Sequence, residues 1–220
     1  NGKLLLTGEY FVLDGATSIA LPCKLGQTLK VLPYQAGTIH WRSFDSARLM
    51  WLEAIINTSD WSILHTSNDA AAIRLLQILK AAITLDSKID LTAGHNVWTR
   101  LEFDRSWGLG SSSTLLSLIA QWTQVDPYQL ASMTFGGSGY DIACASAEGP
   151  ISYQIKDNQP IVKAIEWTPP FKDHCCFVHL GEKKDTQEAL SMYTSMDISD
   201  KASIQNKIAD INDRILSTIQ

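Results

Sequence analysis

The sequence has few charged residues, no cluster of basic ones and no long apolar run. Charged side chains make up 19% of the 220 residues, with 18 Lys and Arg against 23 Asp and Glu. The lack of a basic cluster argues against a nucleic-acid-binding surface. The lack of an apolar run of about 20 residues argues against a membrane-spanning helix. We therefore expect neither nucleic acid nor membrane as a partner, and the apolar share of 45% indicates a globular protein with a sizeable core.

Cysteine is scarce, and its spacing suits neither a disulfide framework nor a metal site. The four cysteines stand at positions 23, 144, 175 and 176. Cys175 and Cys176 are adjacent in a predicted strand, so their side chains should point to opposite faces. The five histidines also lack metal-ligand spacing. We predict buried free thiols in a reducing compartment, which favours the cytoplasm.

Strand-like and helix-like hydrophobic patterns alternate along the chain and predict an α+β fold. The predicted strands cover residues 3–6, 10–13, 19–22, 27–33, 38–43, 49–56, 97–103, 151–155, 161–165 and 175–180. The predicted helices begin at Asn68-Asp69, at Asp126-Pro127 and near Ser138, or cover residues 114–122, 184–196 and 199–219. Strands 27–33 and 38–43 are expected to form a hairpin. The prolines at 169 and 170 predict a boundary between domains 1–168 and 169–220.

The most informative stretch is Trp-Gly-Leu-Gly-Ser-Ser-Ser at residues 107–113, between the strand at 97–103 and the helix at 114–122. Glycines allow a tight turn close to a ligand, and a helix N-terminus offers free amide hydrogens and a positive dipole end. Together these features predict a phosphate-binding loop. It is not the dinucleotide fingerprint, because Ser113 replaces the third glycine, nor the Walker loop, because no Gly-Lys-Ser/Thr follows.

Two further glycine motifs accompany this loop: residues 2–10, Gly-Lys-Leu-Leu-Leu-Thr-Gly-Glu-Tyr, and residues 138–141, Ser-Gly-Tyr-Asp. In order and spacing the three motifs resemble those of the GHMP kinases, the family of galactokinase, homoserine kinase, mevalonate kinase and phosphomevalonate kinase. Asn1 and Tyr10 stand where the family's first motif has Pro and His. The subgroup with a Gly-Tyr-Asp-Ile-Ala signature is the nearest match, at residues 139–143.

The resemblance implies a two-domain GHMP kinase-like fold, with a ribosomal protein S5 domain 2-like N-terminal domain and the start of a ferredoxin-like C-terminal domain. It implies ATP and Mg²⁺ as cofactors and a small molecule with a hydroxyl group as substrate. Asp141 would accept the hydroxyl proton, with Lys3 beside it to hold it ionised. The implied ATP-binding residues are Trp107, Gly108, Leu109, Gly110, Ser111, Ser112 and Ser113, and Ser112 (in second place Ser111) would bind Mg²⁺. The implied substrate-binding residues are Glu9, Tyr10, Ser138, Gly139 and Tyr140.

The sequence departs from the family pattern in two places. Leu130 stands where mevalonate kinases have a magnesium-binding Glu, so fewer protein ligands would hold the metal. The family's third glycine-rich motif is missing, and we expect the natural chain to extend beyond both ends of this sequence.

Several functional alternatives stay open. Mevalonate is the preferred acceptor, with Lys24 and Arg105 as candidate partners for its carboxylate; phosphomevalonate is the second choice. A degenerate nucleotide-binding module without catalysis is the alternative from another class. A serine hydrolase is disfavoured because no Gly-x-Ser-x-Gly motif is present. The oligomeric state is open, with a homodimer as one alternative.

Overall fold

The computed structural model describes residues 1–179, 181, 191–193, 195 and 200–219. The chain divides into two compact units, each made of separate segments. The first unit combines Asn1–Lys24, Ser106–Leu109 and Gly137–Gln220, and the second combines Leu25–Arg105 and Gly110–Gly136. The domain boundary at residue 168 stays a prediction.

The second unit is built on a five-stranded sheet in the order β3-β7-β4-β5-β6. Its strands are β3 Gln27–Pro33, β4 Thr38–Phe44, β5 Met50–Asn57, β6 Ser62–Thr66 and β7 His95–Leu101. The predicted hairpin of β3 and β4 is wrong, because β7 lies between them, antiparallel to β3 and parallel to β4. The connection between β3 and β4 is tied to the residues that enter β7, since Gly37 N–H donates to Thr92 O and Tyr34 N–H to Gly94 O.

Three helices belong to the second unit, and two of them begin at the predicted caps. They are α1 Asp69–Thr84, α2 Ser111–Thr123 and α3 Pro127–Thr134. The side chains of Asn68 and Asp126 accept hydrogen bonds from the amides of Ala71 and Gln129, as expected of N-cap residues. One face of the sheet and the inner faces of the helices form the core, whose fully buried members include Ile39, Trp41, Ile56, Ile78, Leu79, Leu116 and Ile119.

Gly94 permits the close approach of the two connections, so replacing it should destabilise the protein. Its φ is +92°, and a Cβ built there would lie 2.3 Å from Gln35 O. Gly94→Ala should lower the free energy of unfolding by about 2–4 kcal/mol, because a positive φ with ψ 121° is rarely adopted by residues that carry a Cβ and because that Cβ would overlap Gln35. Gly37→Ala is the matched control, since φ is +77° but the nearest atom is 4.0 Å away, and it should cost about 1 kcal/mol. Urea unfolding measures both, and equal losses would show that the Gln35 contact has no effect.

The first unit contains a four-stranded antiparallel sheet in the order β1-β2-β8-β9. The strands are β1 Lys3–Leu5, β2 Ser18–Pro22, β8 Ile151–Lys156 and β9 Gln159–Ala164, and the helices whose two ends lie within the described residues are α4 Tyr140–Ser146 and α5 Lys201–Ile219. β8 and β9 form the predicted pair, turning at Asp157 and Asn158, both with positive φ. The strand predicted at 10–13 is wrong: Tyr10 has φ 61°, and a 3-10 helix, Phe11–Asp14, follows it.

The segment that carries two of the cysteines also differs from its prediction. Residues 175–179 form no strand, and Cys175 and Cys176 are exposed free thiols, so the prediction of burial is wrong for them. Leu180 and most of the helix predicted at 184–196 lie outside the described residues. Cys144 is buried and Cys23 partly buried. Among the residues that the structure describes, no helix is both long and apolar enough to span a bilayer.

Candidate active site

Lys3 links the three sequence motifs within the first unit. Its backbone N–H, on β1, donates to Leu109 O at 3.0 Å, in the glycine-rich loop. Its side-chain Nζ donates to the Tyr140 hydroxyl at 2.6 Å, in the third motif. One residue therefore fixes the first half of the loop with its backbone and the start of α4 with its side chain.

Tyr140 is the observed partner of Lys3, whereas the sequence placed Lys3 beside Asp141. Burial raises the pKa of the Tyr140 phenol well above its ordinary value, and the charges of Glu9 and Asp141 add to the effect. The phenol therefore stays protonated at neutral pH, and its oxygen accepts the hydrogen bond from the Lys3 ammonium. The pairing of Lys3 with Asp141 stays a prediction.

Asp141 lies in the first turn of α4, which begins after Gly139 in a left-handed conformation. Its Oδ1 accepts a hydrogen bond from the Ile142 amide at 3.0 Å. Cys144 lies one turn further along α4, and its thiol is buried. Burial and, to a lesser degree, the charge of Asp141 raise the pKa of Cys144 to about 12, and the charge of Lys3 acts in the opposite direction.

The glycine-rich loop has the backbone that its sequence predicts. Gly108 and Gly110 have φ of 73° and 87°, and no atom lies within 4 Å of a Cβ built at Gly108. Trp107 is 48% exposed. In the second unit, Gly110 is the N-cap of α2 and no side chain caps the first turn. The first amides of α2 thus have no intrahelical acceptor, which is the arrangement that binds phosphate.

The three serines of the loop differ in what their hydroxyl groups contact. Ser113 is 4% exposed, and its Oγ donates to Gly110 O at 2.9 Å, so its hydroxyl stabilises the turn itself. Ser112 is exposed, and its hydroxyl has no hydrogen-bond partner among the described residues. Ser111 is half-buried. Ser112 is therefore the most exposed of the three serines, and its hydroxyl is accessible to a ligand.

Two of the predicted substrate-binding residues, Tyr10 and Ser138, contact tyrosines that the sequence did not single out. The Tyr10 ring stacks on Tyr193, with ring centroids 5.3 Å apart. The Ser138 carbonyl accepts a hydrogen bond from the hydroxyl of Tyr153, a buried residue of β8. Nothing in the sequence marks these tyrosines, because a tyrosine in an apolar segment is usually a core residue. Glu9 is exposed.

A metal at this site would depend on few protein ligands. Among the described residues no group of three or more His, Cys, Asp and Glu side chains could hold a metal ion. Leu130, at the position of the expected Glu, is 0% exposed in α3 and belongs to the core of the second unit. The accessible Ser112 hydroxyl is an oxygen donor of the kind that Mg²⁺ prefers and could serve as one ligand, and the other ligands would have to come largely from phosphate and water.

Comparisons with known proteins agree on the fold. No protein-family model matches the chain, and no curated protein matches its sequence. The solved structure of L. major mevalonate kinase in complex with R-mevalonate superposes with a TM-score of 0.64 at 14% identity, covering 100% of this chain and 67% of that one. Methanococcus jannaschii mevalonate kinase gives 0.63 at 16% identity, covering 98% and 70%. Lactococcus lactis galactokinase complexed with galactose gives 0.51 at 12% identity, covering 75% and 46%.

The chain therefore has the α+β fold of the GHMP kinases, as predicted from its motifs. Its structural neighbours are small-molecule kinases that differ in their acceptors. At these identities the comparison shows the fold, and the argument for activity depends on the residues of the site.

Proposed function

We propose that this protein is an ATP-dependent kinase that transfers the γ-phosphate of ATP to a hydroxyl group of a small molecule. The observation that carries the proposal is the position of Lys3. Its amide donates a hydrogen bond to Leu109 O, and its ammonium donates one to the hydroxyl of Tyr140, the residue that precedes Asp141.

On the nucleotide side, the loop and the start of α2 bind the phosphates. The amides of Ser111, Ser112 and Ser113 at the helix N-terminus donate to phosphate oxygens, and the glycines let the backbone approach them. The Ser112 hydroxyl is the protein ligand for Mg²⁺, which when bound neutralises charge on the phosphates. Trp107, exposed at the start of the loop, borders the nucleotide.

On the acceptor side, the oxygen of the substrate hydroxyl forms a bond to the γ-phosphorus of ATP, and the bond from that phosphorus to the ADP oxygen breaks. Asp141 accepts the proton that the hydroxyl group loses. Lys3 supplies positive charge to this region, with Tyr140 as its hydrogen-bond partner. Glu9, Tyr10, Ser138 and Gly139 line the acceptor.

Mevalonate is the proposed acceptor, and phosphomevalonate is the runner-up. Lys24 is exposed and free to meet a carboxylate. The guanidinium of Arg105, in contrast, lies over the Trp51 ring, 3.7 Å from the ring centroid, so Lys24 is the preferred partner for the carboxylate. A phosphorylated acceptor needs more cations than the motifs provide, so the carboxylate substrate is favoured.

ADP release should be measured with mevalonate, phosphomevalonate, homoserine and galactose. If one acceptor stimulates ADP release, the proposal is supported. If no acceptor raises the rate of ADP release above the acceptor-free rate, the proposal is contradicted.

One observation favours a second candidate, a nucleotide-binding module without catalysis. Leu130 is part of the core where a magnesium-binding Glu was expected. Such a module would bind ATP with ordinary affinity while none of the acceptors stimulated ADP release. The same acceptor panel, combined with titration calorimetry of ATP, separates the two candidates.

The different contacts of the loop serines predict different mutant behaviour. Ser112→Ala should raise KM for MgATP or lower kcat by about 10-fold, because it removes one ligand hydroxyl while leaving the loop intact. Its unfolding midpoint should stay at the wild-type value. Ser113→Ala removes the bond to Gly110 O and should lower the free energy of unfolding by about 1 kcal/mol. Steady-state kinetics and thermal unfolding measure both; a Ser112→Ala enzyme with wild-type kinetics would remove Ser112 from the nucleotide site.

A further inference from the structure

Tyr10 has a backbone conformation that an L-residue rarely adopts. Its φ is 61° and its ψ −44°, outside the common left-handed region for non-glycine residues. Strained residues of this kind persist only where surrounding contacts hold them, and they cluster at functional sites. The contacts that hold Tyr10 therefore affect the shape of the proposed acceptor site.

Tyr193, more than 180 residues further along the chain, supplies the main aromatic contact. Its ring lies nearly parallel to that of Tyr10, at an interplanar angle of 21°, and meets the edge of Phe11 at a centroid distance of 5.7 Å. Tyr193 is 7% exposed. Stacked and edge-to-face pairs at these separations are attractive, so Tyr193 is packed between two consecutive rings of the first motif.

The hydroxyl of Tyr193 adds a hydrogen bond to the same stretch of chain. It donates to Asp14 Oδ2, at the end of the 3-10 helix that follows Tyr10. Burial and this hydrogen bond raise the pKa of the Tyr193 phenol, so it stays protonated and remains a donor. Two residues of α5 bind the same stretch of chain: Gln205 donates to Asp14 O at 2.8 Å, and Asn212 donates to Thr17 O.

We propose that Tyr193 is a positioning residue for the acceptor: it holds the Tyr10 ring in the orientation that binds the acceptor, so that the C-terminal segment contributes to acceptor specificity. This inference rests on the proposed function. Tyr10 stands where the family motif has a histidine, and the Tyr193 stack supports this substituted position. The nucleotide residues of the loop make none of these contacts in the described part of the chain, so the effect should be confined to the acceptor.

The test measures KM for the acceptor and KM for MgATP in Tyr193→Ala, Tyr193→Leu and Tyr193→Phe. Loss of the stack in the Ala and Leu variants should raise acceptor KM about 3- to 10-fold while MgATP KM changes less than about 2-fold. Tyr193→Phe keeps the stack and loses only the bond to Asp14, so its acceptor KM should lie within about 3-fold of wild type. Phe177→Ala removes an exposed aromatic of the same unit and serves as the control.

The outcomes separate the inference from the function on which it rests. A wild-type protein without acceptor-stimulated ADP release contradicts the proposed function and removes the inference with it. An active wild type whose Tyr193 variants keep their acceptor KM, or raise both KM values together, overturns the inference alone. If Tyr193→Ala does not fold, Tyr193→Leu retains apolar volume at the buried position and gives the same readout.

Discussion

Replacing Asp141 by Asn should lower kcat by about 10²–10⁴-fold and leave the affinity for ATP unchanged. The amide keeps the size of the carboxylate and can still accept from the Ile142 amide at the start of α4. It cannot take the proton of the acceptor hydroxyl, so the loss falls on the chemical step. Steady-state ADP release gives kcat, and titration calorimetry gives the dissociation constant for ATP.

Asp157→Asn is the matched control for this prediction. Asp157 is exposed in the turn between β8 and β9 of the same unit, and its φ of 52° is one that Asn tolerates. The control should retain wild-type kcat and stability. If Asp141→Asn shows the same kcat as the control, Asp141 does not act as the base.

The second large effect is expected for Lys3→Met, which should lower kcat by about 10²-fold. Met preserves the length and apolar stem of the side chain while removing the ammonium that binds the Tyr140 hydroxyl at 2.6 Å. Preorganised charge close to a transferring group is worth about this much in other enzymes. The backbone bond from residue 3 to Leu109 O is retained, so the loop should keep its conformation and KM for MgATP should change little.

Lys163→Met, at an exposed position on β9, is the control for removing one positive charge from the unit. Tyr140→Phe tests whether Lys3 acts together with Tyr140, and the double variant should lose less than the sum of the single losses. Fully additive losses in ΔG‡ would show that the two residues act independently. A Lys3→Met enzyme as active as the Lys163→Met control would contradict the catalytic role of Lys3.

Elements specified by short-range chemistry could be predicted from the sequence, whereas strand pairing could not. Asn68 and Asp126 cap α1 and α3 because a cap needs only an amide two or three residues away. The hairpin of β3 and β4 was wrong because each strand shows only its own alternation, and nothing local marks the place of β7 between them. The strand predicted at 10–13 was wrong because Tyr10 has a positive φ, which a tyrosine side chain does not indicate in the sequence.

The same distinction applies to the candidate site. Lys3, the glycine-rich loop and Asp141 could be proposed from motifs, because their residue types and order carry the resemblance. The partner of Lys3 could not, since Tyr140 is 137 positions away and the resemblance assigned it to the substrate and Lys3 to Asp141. Tyr193 was missed because a tyrosine in an apolar segment is ordinarily assigned to the core. The distinction between Ser112 and Ser113 needed the fold, because identical neighbours differ only in which face of α2 they occupy.

The most direct test of the kinase proposal is to follow a single turnover with ATP and mevalonate by ³¹P NMR, with the other acceptors in parallel. The proposal predicts one ADP for each acceptor phosphorylated, with the new phosphate on a hydroxyl oxygen. ADP formed together with free inorganic phosphate, or ATP left unchanged beside every acceptor, would contradict it.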